Sequence, residues 1–286
     1  MINNNLHFSG MNKVRLFFRI LIFCVLTVVS QIGGLVYLLT LYIFKSLDPR
    51  IKSKVAFTIL KLTSFVVLYL ITAFIIVPPV AALFGRVPLP IYSANHLKPL
   101  NKITWMFNRN YVTPKLRRAI LNASVEMNKK YPGTEINYLD ACFPFIDKFP
   151  LIPHLSHNDG RKLDLAFLYI DNHSGKESNE SPSFIGYGIC EEPQNGEVKT
   201  AEFCKSKGYL QYSFLKYIIP QSSKTDFKFD AERTKSLVEL LDKEEDVSKI
   251  FIEPHLKERL NLQSGKIRFH GCQAVRHDDH IHFQVK

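Results

Sequence analysis

Two long apolar segments lie near the amino terminus of the chain. Residues 20–44 and 62–84 contain no charged side chain, and at about 1.5 Å per residue either one can cross a hydrocarbon layer of about 30 Å as a helix. A buried helix of a soluble core is the simpler alternative, but two uncharged runs of this length disfavour it, and the first is too long for a signal peptide. The pattern predicts two N-terminal transmembrane helices within residues 1–88, with a kink or close helix packing at 30–34 and a kink or helix end at Pro78-Pro79.

The pattern changes to that of a folded domain after residue 113. Thr113-Pro114 begins a helical pattern that stops at Tyr131-Pro132-Gly133. Residues 171–200 are polar and rich in Gly, Ser and Glu, and predict a surface excursion. The other predicted elements are a buried strand at 163–170, two helices between 230 and 262, and short strands at 267–270 and 280–285. We therefore predict an α+β fold, with a membrane region at 1–88, a juxtamembrane linker at 89–113 and a small antiparallel-sheet domain at 114–286.

The basic residues are concentrated beside the apolar segments. Residues 1–61 hold eight Lys or Arg and one Asp, which is +7 of the net +11 of the chain. This placement indicates contact with membrane lipid and no nucleic-acid partner. Both flanks of the first apolar segment are basic, so the positive-inside rule does not choose an orientation.

Four of the five cysteines lie in the predicted domain. They are Cys142, Cys190, Cys204 and Cys272. Two disulfides with three possible connectivities would fit an oxidising exterior or periplasm, and free or partly buried thiols are the alternative. None has the Cys-x-x-Cys spacing of a thiolate zinc site.

The histidines fall into two groups that also contain carboxylates. The first comprises His154, His157, Asp159 and Asp164, and the second comprises His270, His277, Asp278, Asp279, His280 and His282. A catalytic zinc takes three nitrogen or carboxylate ligands and keeps one open position. Gly160 lets the backbone turn between His157 and Asp164. His280 and His282 are two apart on a predicted strand, so both face the same side.

These motifs resemble those of a known enzyme group. His157-x-x-Gly160-x-x-x-Asp164, followed by His280-x-His282, resembles the zinc signature of the LAS metallopeptidases, which include the hedgehog amino-terminal domain. His154-x-x-His157 and the run from His277 to Phe283 are most similar to the penicillin-insensitive murein endopeptidases. The resemblance covers residues 114–286 and implies a zinc peptidase-like domain. The membrane segments lie outside the pattern of that family, whose endopeptidases are soluble periplasmic proteins.

The resemblance also implies roles for particular residues. One Zn²⁺ ion would be held by the metal ligands His157, Asp164 and His282. His280, His277 and Asp279 would be catalytic, and His154 would be a further histidine near the metal. Asp279 lies three residues before His282, where relatives of the carboxypeptidase branch have a glutamate base, so its shorter side chain leaves the identity of the general base open.

The function that follows is a membrane-anchored zinc metallopeptidase. It would hydrolyse amide bonds in peptidoglycan peptide crosslinks or stems by metal-activated water, at the cell inner membrane with its soluble domain periplasmic or extracytoplasmic. The alternatives are a non-catalytic zinc-bearing binding or signalling domain, and a membrane protein whose domain only senses or docks. His277 and His280 favour the enzyme, because a structural zinc needs no additional imidazoles beside it.

Several nearby residues have simpler interpretations. Asp159 and Asp278 are expected to be solvated turn carboxylates, and His270 an ordinary strand residue. His154 either packs against the Pro/Phe segment or lies near the metal. Arg109 and Arg161 are expected in salt bridges, and His96, His173 and His255 at the surface.

Overall fold

The computed structural model describes residues 3–47, 53–209, 212 and 214–286, without the side chains of residues 3–12 and 46–47. Within these residues the fold is mixed α/β, with helices and three β-sheets. The amino-terminal part is helical, and the sheets follow from residue 87 onward.

The first predicted transmembrane segment is interrupted. Helix α1 (Asn3–Ser30) ends just before Gln31, whose φ is 65°. The next helix, α2 (Gly33–Leu47), packs back against α1. The glycines permit this close packing, since a Cβ on Gly34 would lie 2.0 Å from Thr27 Oγ1. Neither helix alone provides a full apolar span, so the prediction of two N-terminal transmembrane helices is wrong for residues 20–44.

The second predicted segment is one long helix. It runs through α3 (Lys54–Ile71), a π-helical turn (Thr72–Ile76) and α4 (Val77–Leu83). Among the described residues, this helix of 30 residues is the one long and apolar enough to cross a membrane, with a mean hydropathy of 2.5. Pro78-Pro79 lies at the start of α4, after the π-helical turn, because proline has no N–H to continue the α-helical hydrogen bonds.

The break between α1 and α2 lies against the domain. The Gln31 side-chain oxygen accepts a hydrogen bond of 2.9 Å from the backbone N–H of Phe145. Ile32 packs in one buried cluster with Tyr111 and with the residues Ala73, Val77 and Ala81 of the long helix. The domain is therefore joined to the helices by packing as well as by the chain.

A six-stranded sheet forms the centre of the domain. Its strands are β2 (Leu97–Pro99), β4 (Ile136–Tyr138), β5 (Lys162–Ala166), β9 (Val247–Phe251), β10 (Ile267–Arg268) and β11 (His280–Val285). Their order across the sheet is β10-β9-β11-β5-β4-β2. The prediction of a purely antiparallel sheet is wrong, because β2 with β4 and β9 with β10 are parallel.

Each parallel pair is joined through a helix, as a parallel connection requires. Between β2 and β4 the chain forms α5 (Lys102–Met106), β3 (Tyr111–Val112) and α6 (Pro114–Lys130), and between β9 and β10 it forms α10 (Pro254–Arg259). The strand β1 (Val87–Pro88) pairs with β3 in a two-stranded sheet. The segment 89–113, predicted as a linker, thus supplies β2 to the central sheet.

One face of the central sheet carries the main core. Leu163 and Leu165 of β5 and Ile281 and Phe283 of β11 are buried in one cluster with apolar residues of α6 and of α9 (Ala231–Lys243). Because side chains alternate along a strand, the residues between them point to the other face. Asp164, His280 and His282 are therefore on the face opposite to the helices.

The remaining elements are a further, small sheet and two short helices. They are β6 (Tyr169–Asp171), β7 (Glu177–Ser178) and β8 (Phe227–Phe229) in a small sheet, and the helices α7 (Thr200–Ser206) and α8 (Phe214–Ile218). A disulfide joins Cys204 to Cys272, while Cys142 and Cys190 are free and buried. Residues 171–200, predicted as a surface excursion, include buried Tyr187, Ile189 and Cys190.

Candidate metal centre

The centre begins with a pair of residues on adjacent strands. In the antiparallel register of β5 and β11, Asp164 lies directly opposite His282. The Nδ1 of His282 is 2.8 Å from the Asp164 Oδ1, and both side chains are almost fully buried. Two strand residues thus hold the first two donor atoms rigidly.

His157 reaches the same point from the loop before β5. Its Nδ1–H donates to the Ala141 carbonyl oxygen at 3.0 Å, which leaves Nε2 with its lone pair facing Asp164 and His282. The turn after His157 requires Gly160, which has a φ of 67°. A Cβ there would also collide with the guanidinium of Arg86, which bonds the Asp159 carbonyl oxygen beside it.

Three donor atoms converge on one point. The Nε2 of His157 is 3.2 Å from the Asp164 Oδ1 and 3.1 Å from the His282 Nδ1, and the last two atoms are 2.8 Å apart. Ligands at about 2.0–2.1 Å from a tetrahedral metal ion lie about 3.4 Å from one another. The three atoms are therefore spaced for one small metal ion.

His154 approaches the other oxygen of Asp164. Its Nδ1 is 3.2 Å from Oδ2, and the ligand atoms of His154, His157 and Asp164 all lie within 4.8 Å of one another. This buried cluster can bind a metal ion. Oδ2 also accepts a hydrogen bond of 2.8 Å from the Tyr187 hydroxyl. Oδ1 is instead approached by His157 and His282, and these two residues with Asp164 form the more closely spaced group of donor atoms.

Further imidazoles lie beside these ligand atoms. The Nε2 of His280 is 3.7 Å from the Asp164 Oδ1. The ring of His277 lies 5.0 Å from that of His280 and 5.5 Å from that of His282. The Nε2 atoms of His154 and His280 and the Nδ1 of His277 are buried without a hydrogen-bond partner. Buried polar atoms normally have a partner, so these orphaned nitrogens fit a site that takes an ion and a polar ligand.

Asp279 orients His280. One Asp279 carboxylate oxygen contacts the Nδ1 of His280, and the other accepts a hydrogen bond of 2.6 Å from the Gly188 N–H. Both oxygens are thus occupied, and the contact leaves the Nε2 of His280 pointing toward Asp164. The loop before His277 is held in a similar way, because Glu253 accepts hydrogen bonds from the His277 N–H and the Tyr212 hydroxyl.

Burial and charge act in opposite directions on these groups. Burial raises the pKa of Asp164, but the imidazoles of His157, His280 and His282 outweigh it and hold the pKa well below its usual range. Burial lowers the pKa of His282 to about 4 and that of His277 well below the usual value. His280 is the exception: burial lowers its pKa, but the carboxylates of Asp164 and Asp279 raise it to about 9.

Two cavities flank the histidine cluster. One, of about 820 Å³, is lined by His154, His270, His277 and His282. The other, of about 430 Å³, is lined by Asp279 and His280. The cavities share the wall residues Pro153, Leu155, Tyr212 and Val275. Open space is therefore present beside both His282 and His280.

The structure brings together all seven residues singled out from the sequence. They are His154, His157, Asp164, His277, Asp279, His280 and His282, and each is buried. Other expectations were wrong. Asp278 is buried against Arg276 instead of solvated, His255 is buried, and His270 stacks on Phe251 with its ring 5.3 Å from that of His277. Arg109 forms the expected salt bridge, with Asp140.

Tyr187 is the residue that sequence reasoning missed. Its ring contacts those of His154 and His280, and its hydroxyl bonds Asp164. The signal was the pair of glycines around it, because Gly186 and Gly188 have φ values of 82° and 83° and neither has room for a Cβ.

Comparison with models of known protein families and with curated proteins finds no match for this chain.

Proposed function

We propose that this chain is a membrane-anchored zinc metallopeptidase that hydrolyses an amide bond, with His157, Asp164 and His282 as the zinc ligands. The observation that carries the proposal is the convergence of Nε2, Oδ1 and Nδ1 of these residues within 3.2 Å of one another. Two imidazoles and one carboxylate form a donor set typical of catalytic zinc, which keeps an open position. When bound, zinc polarises a carbonyl and lowers the pKa of water to about 7.

His280 is the proposed general base. Asp279 accepts a hydrogen bond from the Nδ1–H of His280, which leaves Nε2 on the side of Asp164 and the reacting atoms. The pKa of His280 is raised to about 9, with Asp164 as the first of the charges that raise it. A cation bound at Asp164 would offset the first of these charges and so favour the neutral imidazole, whose Nε2 can accept a proton.

His277 is the proposed partner of the developing oxyanion. Burial keeps its imidazole neutral, and its Nδ1 has no hydrogen-bond partner. A neutral imidazole can donate one hydrogen bond to oxygen without the desolvation cost of a buried cation. Tyr187 and the Ala141 carbonyl do not contact the substrate in this proposal; they orient Asp164 and His157.

The substrate and the location are proposed from other features of the chain. The resemblance to the murein endopeptidases favours a peptide crosslink or stem of the cell wall. The long apolar helix Lys54–Leu83 favours attachment to the inner membrane. The disulfide between Cys204 and Cys272 favours a domain on the periplasmic or other oxidising side.

The test uses the full chain in lipid nanodiscs. Zinc per chain and release of product from crosslinked muropeptides are measured for the wild type, His282→Ala and His280→Gln. We expect one zinc in the wild type, loss of zinc and activity in H282A, and zinc without activity in H280Q. His173→Ala is the matched control, because His173 is exposed and pairs with Asp226.

The outcomes separate the peptidase from its alternatives. Zinc bound by the wild type with no product from any wall peptide would support the binding or signalling domain. Absence of zinc would contradict the metal site itself.

A further inference from the structure

The smaller of the two cavities has an apolar lining. Its volume of about 430 Å³ lies within the range of small-molecule sites, which is about 300–1,000 Å³. Its lining includes Ile152, Leu155, Phe214, Leu215 and Val275. Ile152, Leu155 and Phe214 are 59%, 59% and 56% exposed, so large apolar side chains surround an open cavity rather than a closed core.

Each charged side chain in the lining already has a partner. Lys216 donates to Glu192 at 2.6 Å, and Arg276 pairs with Asp278 and Glu192. Asp279 and His280 contact each other, and Asp279 also bonds the Gly188 N–H. The cavity therefore offers no uncompensated charge to an ionic ligand. An uncharged, apolar group is the occupant that loses least on leaving water.

The smaller cavity also borders the candidate centre, because His280 is part of its lining. His280 lines this cavity, whereas His277 and His282 line the larger one, and the two share four wall residues. A group seated in the smaller cavity therefore lies on the His280 side of the donor atoms.

We infer that the apolar cavity beside His280 is a specificity site for a large apolar group bonded to one side of the scissile amide. The inference rests on the proposed amide hydrolysis and not on the choice of a cell-wall peptide as the substrate, and the binding itself requires no turnover. The chemistry is an aliphatic acyl chain or a large apolar amino-acid side chain, and the two sources are separated by experiment. Short or charged groups at this position are poor ligands.

The test measures binding to the metal-stripped full chain in nanodiscs by calorimetry. The first series of probes is acetyl-, butyryl-, hexanoyl- and octanoylglycine, and the second is a tripeptide amide with Gly, Ala, Leu or Phe at one position. We expect the Kd to fall roughly threefold to fourfold for each added CH₂ in the preferred series, with a negative ΔCp. Empty nanodiscs correct for partition into lipid.

Substitutions locate the binding. Phe214→Asp and Ile152→Asp place a charge at the cavity and should raise the Kd of the best probe about tenfold or more. Tyr217→Asp is the matched control, because Tyr217 lies on the same short helix, is 74% exposed and does not line the cavity. It should change the Kd by less than about twofold. Thermal unfolding checks that all three variants fold.

A Kd independent of chain length and of side-chain size, or equal effects of F214D and Y217D, would overturn the inference. Dependence on acyl length alone identifies an acyl chain, and dependence on the tripeptide side chain alone identifies a peptide. Failure of the proposed hydrolysis is separate, since it would abolish product release by the zinc-loaded protein and leave these binding constants unchanged.

Discussion

Asp164 and His282 face each other across the two central strands, with 2.8 Å between Oδ1 and Nδ1. The relationship depends on register, because the neighbours of both residues belong to the core on the other face. A shift of one residue would put Leu163 or Leu165 at the site and bury a carboxylate among the helices. The hydrophobic contacts of Ile281 and Phe283 therefore also hold the metal ligands in place.

Tyr187→Phe should weaken zinc binding about tenfold or more while the protein stays folded. The substitution removes the hydrogen bond of 2.8 Å that orients Asp164. Loss of a contact that supports a metal ligand typically lowers the metal affinity by roughly 10- to 100-fold. Competition with a fluorescent chelator measures the affinity. Tyr131→Phe is the control, because its hydroxyl bonds Ser236, away from the centre. Equal affinities for both variants would contradict the role of Tyr187.

Asp279→Asn should lower kcat by roughly 10- to 100-fold and leave the zinc content unchanged. Asp279 orients the Nδ1 of His280 and is not one of the three convergent donors. Steady-state kinetics with zinc analysis would measure both effects. The control is Asp226→Asn, at a position that pairs with His173. Loss of zinc from D279N would instead make Asp279 part of the metal-binding set.

Glu197→Gln should destabilise the folded state by about 1 kcal/mol at neutral pH. Hydrogen bonds of 2.9 and 2.6 Å from Arg259 lower the pKa of Glu197 to about 2, from an ordinary value of 4.5. A depressed carboxylate pKa contributes stability that is present above pH 4.5 and is lost as the pH falls toward about 2.

Thermal or denaturant unfolding at several pH values measures this effect. The difference between wild type and E197Q should shrink as the pH falls through that window. Glu202→Gln is the control, because Glu202 lies 3.5 Å from Lys199 with its side chain 74% exposed. A difference that is constant with pH would show that the pair with Arg259 does not carry the stability.

Replacement of both Cys204 and Cys272 by Ser should destabilise the domain by about 2–4 kcal/mol. The disulfide closes a loop with a sequence separation of 68 residues, and the loss of that constraint increases the conformational entropy of the unfolded chain. Denaturant unfolding under non-reducing conditions measures the change. Cys24→Ser, at a free and exposed cysteine of α1, is the control. Equal stability of the double variant and the wild type would remove the disulfide as a structural constraint.

The sequence predicted the elements with local signals. α6 begins at Pro114, as the Thr113-Pro114 pattern indicates, and β11 spans His280–Val285, as predicted from its alternation. The break at residues 30–34 carried a local signal as well, which predicted a kink or close helix packing without choosing between them. Whether two glycines kink a helix or let it fold back depends on contacts such as Gln31 with Phe145, which are distant in sequence.

The spacing of the sequence motifs pointed to the seven candidate residues, whereas it did not predict the residues that surround and orient them. Tyr187 and His270 reach the centre from segments whose local pattern indicates a surface excursion and an ordinary strand. Asp278 and His255 are buried beside each other, and the Nε2 of His255 also lies 2.7 Å from the Glu191 carbonyl oxygen, although the three residues are far apart in the chain. Short-range periodicity contains no information about such contacts.

The sequence by itself determined which residues alternate on β5 and β11, and hence that Asp164, His280 and His282 share one face, because the side-chain period of a strand is local. Only the tertiary structure decided that β11 lies between β5 and β9, that His157 meets the pair from a loop, and that an apolar cavity opens beside His280. These features depend on the free energy of packing segments far apart in the chain, to which every surrounding residue contributes.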